Sequence, residues 1–197
     1  MHFVTAILSG SALLAGLAAA QTVQSKPFNL IVENAQNKSI NGLGFASCHE
    51  GAAIESLCLG YDKATFYLNT TQGGQSGVTG DGVPGVLNWN LKGSNFVESE
   101  GMSFFVDPST NVALPLFEPA YQSQYVAFDG KDLMNIQSYL DDTKSPPNSE
   151  QARALYRWYV CNSNFEGYVY QTLNWVLGNG KPQNPSCQKV DIKRVFI

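Results

Sequence analysis

The chain has 197 residues, with 12 Lys and Arg against 16 Asp and Glu and a formal net charge of -4. Hydrophobic residues make up 44% and charged residues 14%, which excludes a disordered chain, because disorder needs low hydrophobicity and high net charge. The mild acidity leaves no electrostatic footprint for nucleic acid or an anionic membrane, so neither is expected as a partner.

Residues 1–20, MHFVTAILSGSALLAGLAAA, contain no Asp, Glu, Lys or Arg and end in Ala18-Ala19-Ala20. This is the pattern of an apolar signal-peptide core followed by a small-residue cleavage site, although the n-region carries only His2 and the free amine. Ser9, Gly10, Ser11 and Gly16 interrupt the run, which falls short of the roughly 20 apolar residues of a spanning helix. The expectation is cleavage between Ala20 and Gln21, no membrane attachment afterwards, and a secreted, extracellular product. Residues 21–197 then form a single β-rich domain.

Along that domain, short runs rich in aromatic and β-branched residues alternate with Gly, Pro, Asn and Asp, as strands and turns do. The runs are 28–32, 64–68, 86–91, 103–106, 112–114, 125–128, 135–140, 156–160, 168–177 and 190–196. Period-2 alternation supports several of them. Val190, Ile192 and Phe196 share one face, as do Val169, Leu173, Trp175 and Leu177 with Gln171. One helix is predicted near 51–59, where Ala53, Ile54, Leu57 and Cys58 follow helical spacing and Gly60 provides a stop. Residues 72–85, QGGQSGVTGDGVPG, read as a long loop with a hairpin tip at Asp81-Gly82. Residues 141–150, DDTKSPPNSE, read as a second polar loop stiffened by Pro146-Pro147. Strands at intervals of about 8–12 residues point to a sandwich or barrel. The fold predicted is all-β, an antiparallel jelly-roll-like sandwich of about ten strands with one short helix.

Four cysteines, Cys48, Cys58, Cys161 and Cys187, imply two disulfides in an oxidising compartment. Cys48–Cys58 and Cys161–Cys187 close the shortest loops; a crosslink between the two halves stays open as the rival. Asn37-Lys38-Ser39 and Asn69-Thr70-Thr71 are glycosylation sequons beside predicted turns.

The residues that carry chemistry are few. His49 is the sole histidine after residue 20, beside Glu50 and Glu55, without an identifiable nucleophile. Gly74-Gln75-Ser76-Gly77-Val78 lacks the last glycine of a nucleophile elbow. Glycosidases need two carboxyl groups about 5–9 Å apart. Glu50/Glu55, Glu98/Glu100 and Asp141/Asp142 are the candidate pairs, each read first as surface charge. Glu98 and Glu100 would share one face of a strand. Calcium has Asp129-Gly130-Lys131-Asp132 or Asp81 available, neither with the oxygen density of an EF-hand loop. Asn41-Gly42-Leu43-Gly44 lacks the Lys-Ser/Thr of a phosphate loop, and no CxxC supports zinc. No catalytic residue, metal or cofactor is therefore assigned. Among 3 Trp, 9 Tyr and 11 Phe, Trp158 and Trp175 are expected in the core. Trp89, between Asn88 and Asn90, is the candidate contact residue.

Ser25-Lys26-Pro27-Phe28-Asn29-Leu30, the block from Cys48-His49-Glu50-Gly51-Ala52-Ala53 to Cys58, and the tail from Trp158 to Cys187 form a set. In these the chain resembles a group of small secreted proteins of filamentous fungi carried as a domain of unknown function. The resemblance covers nearly all of residues 21–197. It implies a fungal extracellular protein with a β-rich fold, and it carries over no catalytic residue. The function expected is a non-enzymatic module that binds cell-wall polysaccharide or an extracellular protein. A hydrolase using a carboxylate pair and a structural wall protein are the alternatives.

Overall fold

In the segment Phe28–Glu33 every second side chain is apolar, and Phe28, Leu30 and Val32 are fully buried while their neighbours are half-exposed. One inward face per strand is the pattern on which most of the strands are built. The computed structural model describes residues 21–119 and 122–197. The segment expected to be a signal peptide, with Ala20 of its expected cleavage site, lies outside the described residues.

The strands in chain order are β1 (Thr22–Gln24), β2 (Phe28–Glu33), β3 (Gly44–Gly51), β4 (Ile54–Gly60), β5 (Phe66–Thr71), β6 (Gly85–Lys92) and β7 (Val97–Phe105). They continue with β8 (Val112–Glu118), β9 (Tyr125–Phe128), β10 (Met134–Asp141), β11 (Asn148–Leu155) and β12 (Trp158–Phe165). The last three are β13 (Tyr168–Val176), β14 (Gln188–Lys189) and β15 (Asp191–Phe196). Eight of them, in the order β5-β2-β3-β4-β13-β8-β7-β6, close on themselves through the β5–β6 ladder. β1 extends from β5, β15 pairs with β2, β12 and β14 follow β13, and β9-β10-β11 continue from β6.

The fold is therefore all-β, but it is a closed antiparallel barrel with added strands rather than a ten-strand jelly-roll sandwich. Both architectures need one inward face per strand, so alternation alone does not separate them. The decisive contact is β5 with β6, which joins Phe66 to Trp89 and Leu68 to Leu87 and removes two open edges.

The helix predicted at 51–59 is replaced by a hairpin. β3 and β4 pair from Gly44–Gly60 to Gly51–Ile54, with a bulge at Glu50 and Ala53 at the tip in the left-handed region, φ +54°. A non-glycine residue there is uncommon, and cross-strand burial of Leu57 against the barrel interior overrides the helical preference of Ala52 and Ala53. The helical element among the described residues is instead the 3-10 turn Lys38–Ile40, capped by Asn37. The long loop after β5 has no hairpin tip at Asp81-Gly82, since Asp81 makes an isolated bridge to Asp129. Polar segments also join the sheet, with β7 beginning at Val97 and β11 at Asn148.

Two disulfides form, Cys48–Cys58 with Cα atoms 5.8 Å apart and Cys161–Cys187. The first links neighbouring strands β3 and β4. The second ties β12 to the segment before β14.

The barrel interior is filled by Phe28, Phe45, Leu57, Phe66, Met102 and Phe117, with Phe66 stacked on Phe117 at 5.7 Å. At its other end Trp158 and Trp175 are in the core as expected, edge to face at 4.7 Å, with Phe104 stacked on Trp175. Trp158 Nε1–H donates to the Met134 carbonyl at 2.8 Å, which satisfies the one polar atom of a fully buried indole. β13 is buried on both faces from Thr172 to Val176. Its polar members are satisfied by one another and by β12, with Asn174 Nδ2 donating to Thr172 Oγ1 at 2.9 Å and Ser163 Oγ of β12 donating to Asn174 Oδ1 at 3.1 Å.

Replacing Trp158 by Ala is expected to cost about 3–5 kcal/mol, the usual cost of emptying a buried aromatic site. Denaturant unfolding checks this, and an unchanged midpoint would contradict the placement of Trp158 at the centre of the core.

Candidate functional site

The strands place the carboxylates singled out in the sequence in different surroundings. On β4, Glu55 faces inward opposite Phe117 of β8. On β7, Glu100 faces inward opposite Trp89 of β6, while Glu98, two residues away, stays exposed. Glu50, at the bulge, is buried and accepts from Ser56 Oγ at 2.5 Å. The reading of these groups as surface charge is thus overturned for Glu50, Glu55 and Glu100, which are 2%, 7% and 1% exposed. Asp141 is also buried, held by Thr143 Oγ1 at 2.6 Å and by Lys144 and Arg153. Its neighbour Asp142 is exposed.

Burial raises all three glutamates. Glu100 is pushed up to about 7, first by desolvation and then by the neighbouring Glu55, with Glu98 and Glu118 adding to it. Both Glu100 oxygens and one oxygen each of Glu50 and Glu55 meet no donor. A proton held between Glu55 and Glu100 is the physical way to keep two carboxyl groups inside an apolar barrel. His49 stands at the exposed end of this cluster, its ring edge-on to Tyr168 at 5.6 Å, where its charge favours ionisation of Glu50 and Glu55. Among the described residues no three His, Cys, Asp or Glu side chains gather closely enough to hold a metal ion.

A broad hollow lies on the outer face of the same strands. A groove of about 610 Å³ is lined by Asn69 and Thr71 of β5, Asn88 of β6, Ser99 and Gly101 of β7, Glu118 of β8, Ser123, and Tyr125 at the start of β9. That is the size of a small-ligand site. Asn88 Nδ2 donates to Ser99 Oγ at 3.2 Å, which leaves the Asn88 carbonyl oxygen buried and without a donor. Gly101 floors the groove, since a Cβ there would come within 2.5 Å of Ser123 Oγ. Tyr125 is 58% exposed at the rim. Glu55 and Glu100 do not line this groove, so their raised pKa values serve no group bound in it.

Trp89 is half-buried rather than free on the surface. Its ring leans on Phe117 at 6.4 Å, and its remaining surface lines a separate hollow of about 350 Å³ with Tyr67 and Lys92. Asn37 is exposed at its 3-10 turn. Asn69 sits on β5, where it accepts from Gln24 Nε2 at 3.2 Å. The groove residues were missed in the sequence because they come from five separate segments. Their one signal is the polar phase of alternation, as in Val86-Leu87-Asn88-Trp89-Asn90, where Asn88 faces out between inward Leu87 and Trp89.

Taken together, these strands define a closed antiparallel β-barrel with added strands and a polar groove on its outer face. The chain belongs to the family described as Domain of unknown function (DUF7907), whose model matches residues 25–196. No curated protein and no solved structure matches the chain.

The buried pair sets a pH dependence of known sign. A folded pKa above the ordinary 4.5 means the folded state keeps a proton that the unfolded chain releases, so stability falls as pH rises from about 4.5 through about 7. Glu100→Gln removes the ionisation. It is expected to raise stability at pH 7.5 by roughly 1–2 kcal/mol and to flatten the slope between pH 5 and 7.5. Urea unfolding across that range checks it; a wild-type protein whose stability climbs with pH over this window would contradict the burial argument.

Proposed function

We propose that the protein is a non-enzymatic, secreted module that binds a stretch of neutral polysaccharide in the groove between β5 and β9. The single observation that carries this reading is the chemistry of the lining. Amides and hydroxyls from Asn69, Thr71, Asn88, Ser99 and Ser123 donate and accept toward one hollow. Tyr125 offers an exposed ring face at its rim. Such a set suits sugar hydroxyls along one side and a sugar ring's apolar face on the other. With Glu98 and Glu118 as its charged members, the groove disfavours an anionic ligand. Two disulfides support an oxidising, extracellular setting.

The hydrolase alternative draws less support. Gly101 lies directly opposite Glu118, and Glu98 is three residues further along β7, which puts the two Cα atoms roughly 11 Å apart at strand spacing. Their side chains also leave β7 and β8 in different phases of the pleat, unlike two carboxyl groups converging on one glycosidic bond.

The test is depletion of the purified protein from solution by insoluble chitin, β-glucan, cellulose and xylan. Asn69 lies in the groove and in a sequon, so protein from a non-glycosylating host is used. Depletion by one polysaccharide, weakened at least tenfold in Tyr125→Ala but not in Tyr61→Ala, is the expected result. Retention of all four polymers' supernatants at full protein concentration would overturn the reading, and release of reducing ends would replace it with the hydrolytic one.

A further inference from the structure

β10 and β11 form a hairpin whose two faces differ in character. Ile136 pairs with Leu155 and Ser138 with Arg153, so these four side chains share one face. The opposite face is covered by the long glycine-rich loop. A Cβ on Gly77 of that loop would come 2.9 Å from the Ala152 side chain. Gln137 accepts from the Gly77 amide at 3.2 Å and donates Nε2 to the Gly82 carbonyl at 3.0 Å.

The first face is left open. It walls a hollow of about 450 Å³ against the ends of β7 and β13. Phe104, Leu155 and Leu177 pack against the core yet are only half-buried, so apolar surface remains toward the hollow. Phe104 is stacked on Trp175, which also lines it. The hollow shares no described lining residue with the polar groove: Gln124 lines the one, while Ser123 and Tyr125 line the other.

Arg153 and Arg157, the latter two residues past Leu155, bring two guanidinium groups to this apolar lining. Arg153 Nη2 donates to the Leu140 carbonyl at 3.1 Å, and Nη1 lies 3.7 Å from Asp141 Oδ2. Arg157 is half-buried and donates Nη2 to the neutral Asn179 Oδ1. Among the described residues it pairs with no carboxylate. A guanidinium carries five N–H donors, so most of those on Arg157 are free for an acceptor in the hollow. A half-buried cation without a counter-charge, set beside apolar surface, favours an anion with an apolar body. Asp142 is the one carboxylate among the described lining residues, and it is exposed, where salt and solvent screen it.

We propose that this hollow binds a small organic monocarboxylate, its carboxylate on Arg157 with Arg153 alongside and its apolar body on Phe104, Leu155 and Leu177. The planar guanidinium fork matches a carboxylate and fixes its orientation, and the apolar floor supplies the burial. An aromatic acid and a short fatty acid share this chemistry, and the experiment tells them apart.

The experiment is isothermal titration calorimetry of the purified protein with naphthoate and with octanoate, each compared with its uncharged alcohol, naphthalenemethanol or octanol. Saturable binding of one acid at a single site is expected, with its alcohol weaker by about tenfold or more, the worth of a charge-assisted pair. The acid that binds better shows whether the body is aromatic or aliphatic. Arg157→Gln is expected to bring the acid level with its alcohol. Because Arg157 also holds Asn179, the acid-to-alcohol ratio of the unsubstituted protein is the readout that holds even where Arg157→Gln does not fold. Absence of binding by both acids at millimolar concentration would overturn the proposal. So would equal binding of acid and alcohol, or a folded Arg157→Gln that keeps the acid's full affinity.

Discussion

The ladder between β5 and β6 is the contact on which the rest of the structure depends. It closes the ring of eight strands and puts Phe66 beside Trp89 and Leu68 beside Leu87. Without it the sheet would have two open edges and an apolar face with no lid. With it, the inward phase of each strand meets the inward phase of strands far away in sequence, and the outward phase is free to carry polar groups. The groove exists because of this division. Asn88 and Ser99 face out, while Leu87, Trp89 and Glu100 on the same two strands face in.

The same closure explains why three glutamates are buried. Glu55 and Glu100 occupy inward positions at one end of the barrel, next to Phe117 and Trp89, where an apolar residue would be expected. Their placement costs stability as carboxylates and costs far less with a shared proton. Glu50 solves the same problem differently, through Ser56. The acidic end of the barrel is thus a feature of the interior, while the polar groove and the hollow beside the β10–β11 hairpin are features of the exterior and of its added strands.

How much of this was legible depends on whether the signal was local. β2, β5 and β6 announce themselves by alternation, and Trp158 and Trp175 are recognisably core residues in strand-like runs. The hairpin of β3 and β4 was not legible, because Gly51-Ala52-Ala53-Ile54 carries helical spacing and only the pairings made in the closed barrel, with β3, β8 and β13, decide for a strand. The start of β7, Val97-Glu98-Ser99-Glu100-Gly101, reads as a solvated turn, yet its ladder with β6 turns Glu100 inward. The groove and the hollow beside the β10–β11 hairpin were illegible for a plainer reason. Their members lie on separate strands and loops, and no spacing along one segment encodes a contact made by closing a barrel.

The closing ladder can be measured directly by native-state hydrogen exchange. Leu68 sends its amide and its carbonyl to Ser25, on the side away from β6. The alternation of an antiparallel pair therefore turns the Tyr67 and Asn69 amides toward β6, opposite Asn88 and Val86. If the barrel is closed, the amides of Tyr67, Asn69, Val86 and Asn88 exchange only through global unfolding, with the same free energy as the core amide of Leu57. Exchange of these four at the rate of fraying edge strands, while Leu57 stays protected, would show an open sheet and contradict the account.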